Sequence, residues 1–399
     1  MNYTTIKTCR VCGSKKLTPI FSLRNLYVST FVNKLGENIG RAPLELVYCE
    51  NCTLLQLKHT APQELMYSKH YWYRSGVNPV ISKDLKEIAK KAQKIAKPKK
   101  GDIILDIGAN DGTLLKYYPK NLILVGCEPA TNLLSELKKV TKYVIGDFWT
   151  NKKWQKIMGE KKAKIITAIG MFYDMEDPNQ FIGDVARVLS EDGIFIAQLM
   201  CLRPMIEKND VGNICHEHLE FYSYRSLVEL FERNGLEIFK VEGNNINGGS
   251  YRLFARHIKT GSIDYPEKIT KKDYRDFFKR IENNKKLCVD FVKKEFQKGK
   301  KIFVYGASTK GNTILQYYGL DNKLISGAAD KSPEKWGKYT VGTHVPICTE
   351  QEAREKADYF LVLPWAFFDS FYKKETQWLK KGGKFIVPIP KFKVVSSKK

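Results

Sequence analysis

Ile103-Ile104-Leu105-Asp106-Ile107-Gly108-Ala109-Asn110-Asp111-Gly112 is the stretch that decides the fold. An almost wholly apolar run passes without a break into a loop with glycines at 108 and 112. Such a run reads as a strand buried on both faces, which belongs in a parallel sheet. Glycines directly after it permit a tight turn and a close approach of ligand to backbone. Working outward, Leu122–Gly126, Ile165–Ala168 and Ile194–Gln198 are further apolar runs, separated by helical patterns. This alternation predicts an α/β region over residues 76–265, a mostly parallel sheet with helices on both faces.

Glu128 ends the next apolar run, 22 residues beyond Asp106. An acid at that place accepts ribose hydroxyls in nucleotide-binding folds. Gly146-Asp147-Phe148 closes the run after that and is placed to meet an adenine ring. A dinucleotide site wants Gly-x-Gly-x-x-Gly, and Gly108-Ala109-Asn110 departs from it, so a nicotinamide cofactor fits less well. The segment resembles class I S-adenosylmethionine-dependent methyltransferases. The resemblance implies that the loop carrying Asp106, Gly108, Asn110 and Gly112 holds the methionine end of the donor. Glu128 then holds the ribose, and Asp147 reads the adenine with Phe148 beside it.

Cys9-x-x-Cys12 and Cys49-x-x-Cys52 are two pairs whose spacing brings both sulfurs of a pair onto one tetrahedral ion. Together they predict a closed, structural four-thiolate zinc site in an N-terminal domain over residues 1–75.

Cys215-His216-Glu217-His218-Leu219-Glu220-Phe221-Tyr222-Ser223 places two imidazoles and a carboxylate side by side. It does not match the zinc-protease pattern, whose histidines are separated by three residues on a helix. In an extended segment His216 and His218 point one way and Glu217 the other; a helical turn fans the three apart. An imidazole titrates near neutrality, so proton abstraction is the chemistry this cluster suggests. A base beside a methyl-donor loop suggests alkylation of a carbon acid.

The same stretch resembles the signature of sugar C-methyltransferases acting on nucleotide-linked keto-deoxyhexoses. Asn247-Gly248-Gly249-Ser250-Tyr251-Arg252 and Tyr71-Trp72-Tyr73-Arg74-Ser75 resemble two further signatures of that family, and the likeness spans essentially the whole chain. It implies a zinc-binding N-terminal domain, a central donor-binding domain and a C-terminal Rossmann-like domain. It implies a 4-keto sugar whose C3 proton is removed by His218, with Glu217 orienting the site and His216 alongside. Tyr71 or Tyr73 then contacts the sugar. Better-known members carry Tyr where this chain has Cys215, so any role of that hydroxyl is either absent or displaced to Tyr222. Asn247, Gly248, Gly249 and Arg252 are assigned to substrate.

Thr270 to Lys301 reads as one long helix with Phe277, Ile281, Leu287 and Phe291 at helical spacing. Beyond it, Val304-Tyr305-Gly306-Ala307-Ser308-Thr309-Lys310-Gly311 is a second strand–glycine–helix junction, in a C-terminal Rossmann-like domain over residues 266–399. Amides at a helix start attract phosphate. Ser308, Thr309 and Lys310 are therefore assigned to the nucleotide diphosphate of the sugar.

Composition sets the outer bounds. The 399 residues are 43% hydrophobic and carry a formal net charge of +24. A strongly basic chain attracts anions, yet the lysines are spread rather than clustered with aromatics, so no nucleic-acid partner is expected. Lys90 to Lys100 reads as the polar face of a helix followed by a turn at Pro98. No apolar run of eighteen residues occurs and Met1-Asn2-Tyr3-Thr4-Thr5-Ile6-Lys7 has no apolar core. The expectation is a cytoplasmic enzyme, monomer or homodimer, with no membrane partner and reduced thiols. The rival readings are a sugar O-methyltransferase on the same scaffold and a zinc-containing nucleic-acid binder.

Overall fold

The computed structural model describes residues 2–37, 39–67 and 71–397. Its central sheet has seven strands: β1 (Ile103–Ile107), β2 (Ile123–Cys127), β3 (Tyr143–Ile145), β4 (Ala163–Ile169), β5 (Leu189–Met200), β6 (Leu236–Asn244) and β7 (Ser250–His257). Their order is β6-β7-β5-β4-β1-β2-β3. The first five in chain order are parallel, and β7 runs antiparallel between β5 and β6. Every residue of β1 is buried, as a strand covered on both faces requires. The mostly parallel α/β sheet predicted from the apolar runs is present. The antiparallel β6–β7 pair is an addition that the runs do not announce.

Helix α1 (Pro79–Ala96) covers one face of this sheet. Asn78 caps its first turn and Pro79 opens it, while Lys97 ends it in the left-handed conformation. The lysine-rich stretch is thus its polar face and exit. Helix α2 (Lys271–Gln297) is held at its start by a reciprocal capping box between Thr270 and Asp273. Phe277 and Ile281 are buried as the spacing predicts, but Leu287 is exposed, and Cys288 and Val292 are buried instead. The 3.6-residue period carries Leu287 off the inner face.

The C-terminal sheet comprises β8 (Ile302–Tyr305), β9 (Gly327–Asp330), β10 (Ile347–Thr349), β11 (Tyr359–Val362), β12 (Lys384–Val387) and β13 (Lys393–Val395). Its order is β10-β9-β8-β11-β12-β13, parallel except for β13. Helix α3 (Thr309–Tyr318) follows β8, capped by the Ser308 hydroxyl on Gly311 N.

The N-terminal region ties these two sheets together. Strands Leu17–Tyr27, Arg41–Cys49 and Leu55–Leu57 form an antiparallel sheet whose fourth strand is Glu220–Phe221, from the loop that carries the paired histidines. Phe31–Val32 pairs with Tyr339–Thr340 of the C-terminal region, and the Ser29 and Thr313 hydroxyls meet at 2.9 Å. Cys9, Cys49 and Cys52 pack into the same apolar core as the central sheet. Among the described residues no helix is long and apolar enough to cross a membrane.

Candidate active site

At the C-terminal ends of β1, β2 and β4 lies a pocket of about 500 Å³. Gly108 and Gly112 have φ of 73° and 77°, and Asn110 has φ of 52°. A Cβ on Gly108 would stand 2.7 Å from the Met171 side chain, so glycine is required there on both counts. Glu128 receives the Asn110 and Ala130 amides, each at 2.8 Å, one on each carboxyl oxygen. That fixes the carboxylate at the pocket wall with a lone pair free on each oxygen. Trp149 also lines the pocket, and its buried indole N–H has no partner, a donor suited to the acceptor nitrogens of a purine.

The donor-loop residues divide. Gly108, Asn110, Glu128 and Phe148 line the pocket. Asp106 and Gly112 stand behind its wall: Asp106 is buried, accepts the Thr167 hydroxyl at 2.6 Å, and is pushed up to about 7 by that burial. Gly112 backs onto Val140 and Leu137. Asp147 turns outward, half-exposed, onto Lys153 at 2.7 Å and the Phe148 amide, so the adenine-reading role assigned to it is not supported by its position.

Tyr71 to Gly76 forms the outer wall, fastened by side chains of the loops that follow β1 and β2. Asn132 accepts from Tyr71 N at 3.0 Å and donates to Tyr71 O at 3.1 Å. Asn110 accepts from Ser75 N and donates to Tyr73 O, and Asp111 accepts from Gly76 N. Tyr71, Tyr73 and Ser75 face both this pocket and a second cavity of about 320 Å³ on the other side.

His218 and Glu217 line the second cavity; His216 does not. The reason is local. His218 N bonds to Cys215 O at 3.2 Å, so the segment is a tight turn, not the extended strand that would have aligned both histidines. His216 points away and bonds through Nε2 to Ala42 O at 2.9 Å, a buried anchor between this loop and the N-terminal sheet. His218 bonds through Nδ1 to Asn213 O at 2.8 Å. A carbonyl only accepts, so Nδ1 carries the proton and Nε2 is the basic nitrogen. Burial, then the Lys310 charge, hold His218 well below the ordinary imidazole range, so it is neutral at neutral pH. Its Nε2–Nδ1 ring lies edge-on to Tyr173 at 4.6 Å. Ligand atoms of Cys215, Glu217 and His218 fall within 4.8 Å of one another. Burial raises Glu217, opposed by Lys310 and by a hydrogen bond from the Thr309 hydroxyl.

Several assignments are corrected here. Tyr222 is fully buried, stacked on Phe172 at 5.5 Å with its hydroxyl unpartnered, and lines neither cavity. It cannot replace a hydroxyl at position 215, because the strand Glu220–Phe221 carries it out of the turn. Arg252 is buried on Asp84, Glu87, Glu242 and Gln198, so its guanidinium braces the cavity floor. Gly248 and Gly249 pack against Trp365 and Pro204; Asn247 alone of that triplet faces the cavity. Ser308, Thr309 and Lys310 do line it, but Lys310 reaches Asn213 Oδ1 at 3.4 Å and Met200 Sδ at 3.2 Å, beside His218. Asp174, Asp210 and Tyr173 also line it and were not singled out from sequence. Asp174 and Tyr173 follow the C-terminal end of β4, where open parallel sheets place ligand contacts, and that signal points to them.

The four N-terminal cysteines converge as their spacing predicts. Cys9–Cys52 and Cys12–Cys49 sulfurs are each 3.5 Å apart, and all four lie within 4.8 Å of one another. This all-thiolate set, mostly buried, fits tetrahedral zinc with no open position.

A glycine loop after β1 and a braced acid after β2 define the class: an S-adenosylmethionine-dependent methyltransferase with a structural zinc. Comparison with known proteins refines this. Residues 77–241 match a family model described as "Methyltransferase domain", and residues 245–390 one described as "C-methyltransferase C-terminal domain". Residues 9–67 match "Putative zinc binding domain". C-methyltransferase NovU of Streptomyces niveus is 27% identical over 98% of this chain and 97% of its own length. The three matches lie end to end along the chain, which resembles C-methyltransferase NovU over nearly its whole length. Among solved structures, an S-adenosylmethionine-dependent methyltransferase from Clostridium acetobutylicum overlays 44% of this chain and 92% of its own, at 12% identity and TM-score 0.35. Magnesium protoporphyrin IX methyltransferase from Synechocystis, with bound donor, overlays 44% and 79%, at 10% identity and TM-score 0.34.

Proposed function

We propose that the protein methylates C3 of a nucleotide-linked 4-keto-deoxy sugar, with His218 as the base. The observation that carries this reading is a buried, neutral imidazole on a cavity that shares a wall with the donor pocket. S-adenosylmethionine supplies an electrophilic methyl group on a sulfonium. His218 Nε2 takes the C3 proton, made acidic by the adjoining ketone. A positioned base of this kind contributes about 10²–10⁴-fold. Asn213 O holds the imidazole in the required tautomer. Glu217 faces the same cavity and balances the imidazolium that forms, while Thr309 and Lys310 hold its carboxylate. Tyr71 and Tyr73 position the sugar at the shared wall. Asn247 and Ser308 also line the cavity, and Ser308 belongs to the C-terminal region assigned to the nucleotide diphosphate. Oxygen methylation would also draw on a base to deprotonate its hydroxyl but needs no enolate, so exchange at C3 is what separates the two readings.

The test is proton exchange at C3 in deuterated water without methyl donor, over a panel of nucleotide-linked 4-keto-6-deoxyhexoses. Deuterium incorporation that vanishes in His218→Ala and persists in Cys215→Ala supports the reading. No exchange with any keto sugar, with donor binding intact, moves the assignment to another acceptor.

A further inference from the structure

The donor pocket and the acceptor cavity meet at Tyr71, Tyr73, Ser75, Ile169, Gly170 and Asp174, which line both. A carbon that receives a methyl group from one side while a base acts from the other must sit at this wall. Asp174 is its one acidic side chain. It is buried, and its Oδ1 has no hydrogen-bond partner. The Tyr67 hydroxyl hydrogen-bonds its carboxyl and lies 3.2 Å from Glu217 O. The backbone fastens this corner to the base: Tyr173 O accepts from Leu219 N at 2.9 Å and from Glu220 N at 3.1 Å. Tyr173 is also the ring that packs against His218.

The electrostatics follow from these neighbours. Burial, and then the nearby Glu217 and Glu220, hold Asp174 well above the usual carboxylate range. A carboxylic acid kept neutral by its surroundings is a strong hydrogen-bond donor, and enolising sites use one to receive the developing oxyanion. The turn that carries the base supplies no such donor. Cys215 is buried, its thiol is pushed up by burial and by Glu217, and it does not line the cavity.

We propose that Asp174 is a further catalytic residue, whose carboxyl O–H donates a hydrogen bond to the ketone oxygen as it becomes an enolate. This rests on the enolisation reading above. In the first step the C3–H bond breaks and its proton passes to His218 Nε2. The electron pair forms C3=C4, and the C4=O π pair moves onto oxygen. In the second step the C3–methyl bond forms as the sulfur–methyl bond breaks, and the ketone returns. Asp174 keeps its proton throughout, so no further reactant is needed. Its bond strengthens only as charge develops, and therefore lowers the barrier rather than tightening the ground state.

The experiment compares donor-free exchange at C3 in Asp174→Asn and Asp174→Ala, with thermal unfolding first reporting that each variant is folded. Asparagine keeps a neutral N–H donor on the same frame, and is expected to retain exchange within about tenfold. Alanine removes the donor, and a loss of about 10²–10³-fold is expected. Wild type should also lose exchange at high pH as Asp174 ionises, a limb absent in Asp174→Asn. If Asp174→Ala exchanges at the wild-type rate, this inference fails alone. If Asp174→Asn falls as far as Asp174→Ala, the negative charge is what acts, and the inference is overturned. If wild type exchanges no keto sugar, the enolisation reading fails first, and this inference with it.

Discussion

His216 and His218 are two residues apart and have opposite surroundings, which separates their roles experimentally. His216 is buried, bonded through Nε2 to Ala42 O, and lowered to about 4 by burial. Its folded value lies below its unfolded one, so the unfolded chain binds the extra proton. Stability from this group is therefore complete above pH 6.5 and lost as pH falls toward 4, by about 3 kcal/mol in all. His216→Gln keeps a donor for Ala42 O and removes the titration. Urea unfolding at pH 7 and pH 4 should show a smaller acid loss in the variant than in wild type, with C3 exchange retained at pH 7. Equal acid losses would mean that His216 is not the titrating anchor. His218 titrates in the same direction for a different consequence. As the proposed base, His218 must be neutral to act, so exchange should stay level through pH 6.5 and fall only well below it. Lys310→Met removes the cation that opposes its protonation, so the acid limb of the exchange profile should move to higher pH. A limb that stays in place would show that burial alone sets it.

At the scale of elements, the Tyr71–Gly76 segment has little regular structure of its own, and its place depends on Asn110, Asp111 and Asn132. Asn110→Gly preserves the left-handed turn and removes both side-chain bonds to the segment. A buried hydrogen bond lost this way costs about 1–3 kcal/mol, so KM for both substrates should rise about 5- to 100-fold, with a fall in Tm of a few degrees. An unchanged KM in steady-state assays would refute the clamp. Some of this was legible in sequence and some was not, for physical reasons. β1, β2, β4 and β5 are apolar on both faces, so their runs announce a parallel sheet. β6 and β7 carry Glu237, Lys240, Glu242, Arg252 and Arg256, whose charges are paired within β6, across the strands and with α1, and a polar pattern conceals the pair. Glu220–Phe221 is two residues long and exists only because Leu55 and Gln56 lie opposite. No local signal specifies it, yet it sets the turn that parts His216 from His218. Asn110 was read as a donor contact from its place in the loop, while its hold on Tyr73 and Ser75 needs the tertiary fold.

Across the whole molecule, the zinc site and the base loop form one mechanical unit. Arg10 lies between Cys9 and Cys12, and its buried guanidinium reaches Leu57 O at 2.6 Å, the Thr60 hydroxyl at 2.7 Å and Glu220 at 3.6 Å. Glu220 stands two residues beyond His218, in the strand that pairs with Leu55 and Gln56, and Leu57 N bonds Leu219 O at 2.9 Å. The same N-terminal sheet grips the C-terminal region through Phe31–Val32 and through Gln316 on Tyr27. Without their ion the four cysteines take up protons as thiols, the metal bonds that join the two pairs are lost, and the sheet edge they anchor would loosen. Burial pushes the Glu220 carboxyl well up, opposed first by the Arg10 guanidinium and then by the Met175 amide, so Arg10 is the charge that faces it. Stripping zinc with a chelator under reducing conditions should therefore release one metal per chain, lower Tm by roughly 5 °C or more, and abolish C3 exchange. Donor affinity should fall much less, because Gly108, Glu128 and Trp149 belong to the central sheet and its loops. Restored zinc should return Tm and exchange together. A stripped protein that keeps its exchange rate while losing stability would uncouple the zinc site from the base, and would leave Arg10 as a local fastening only.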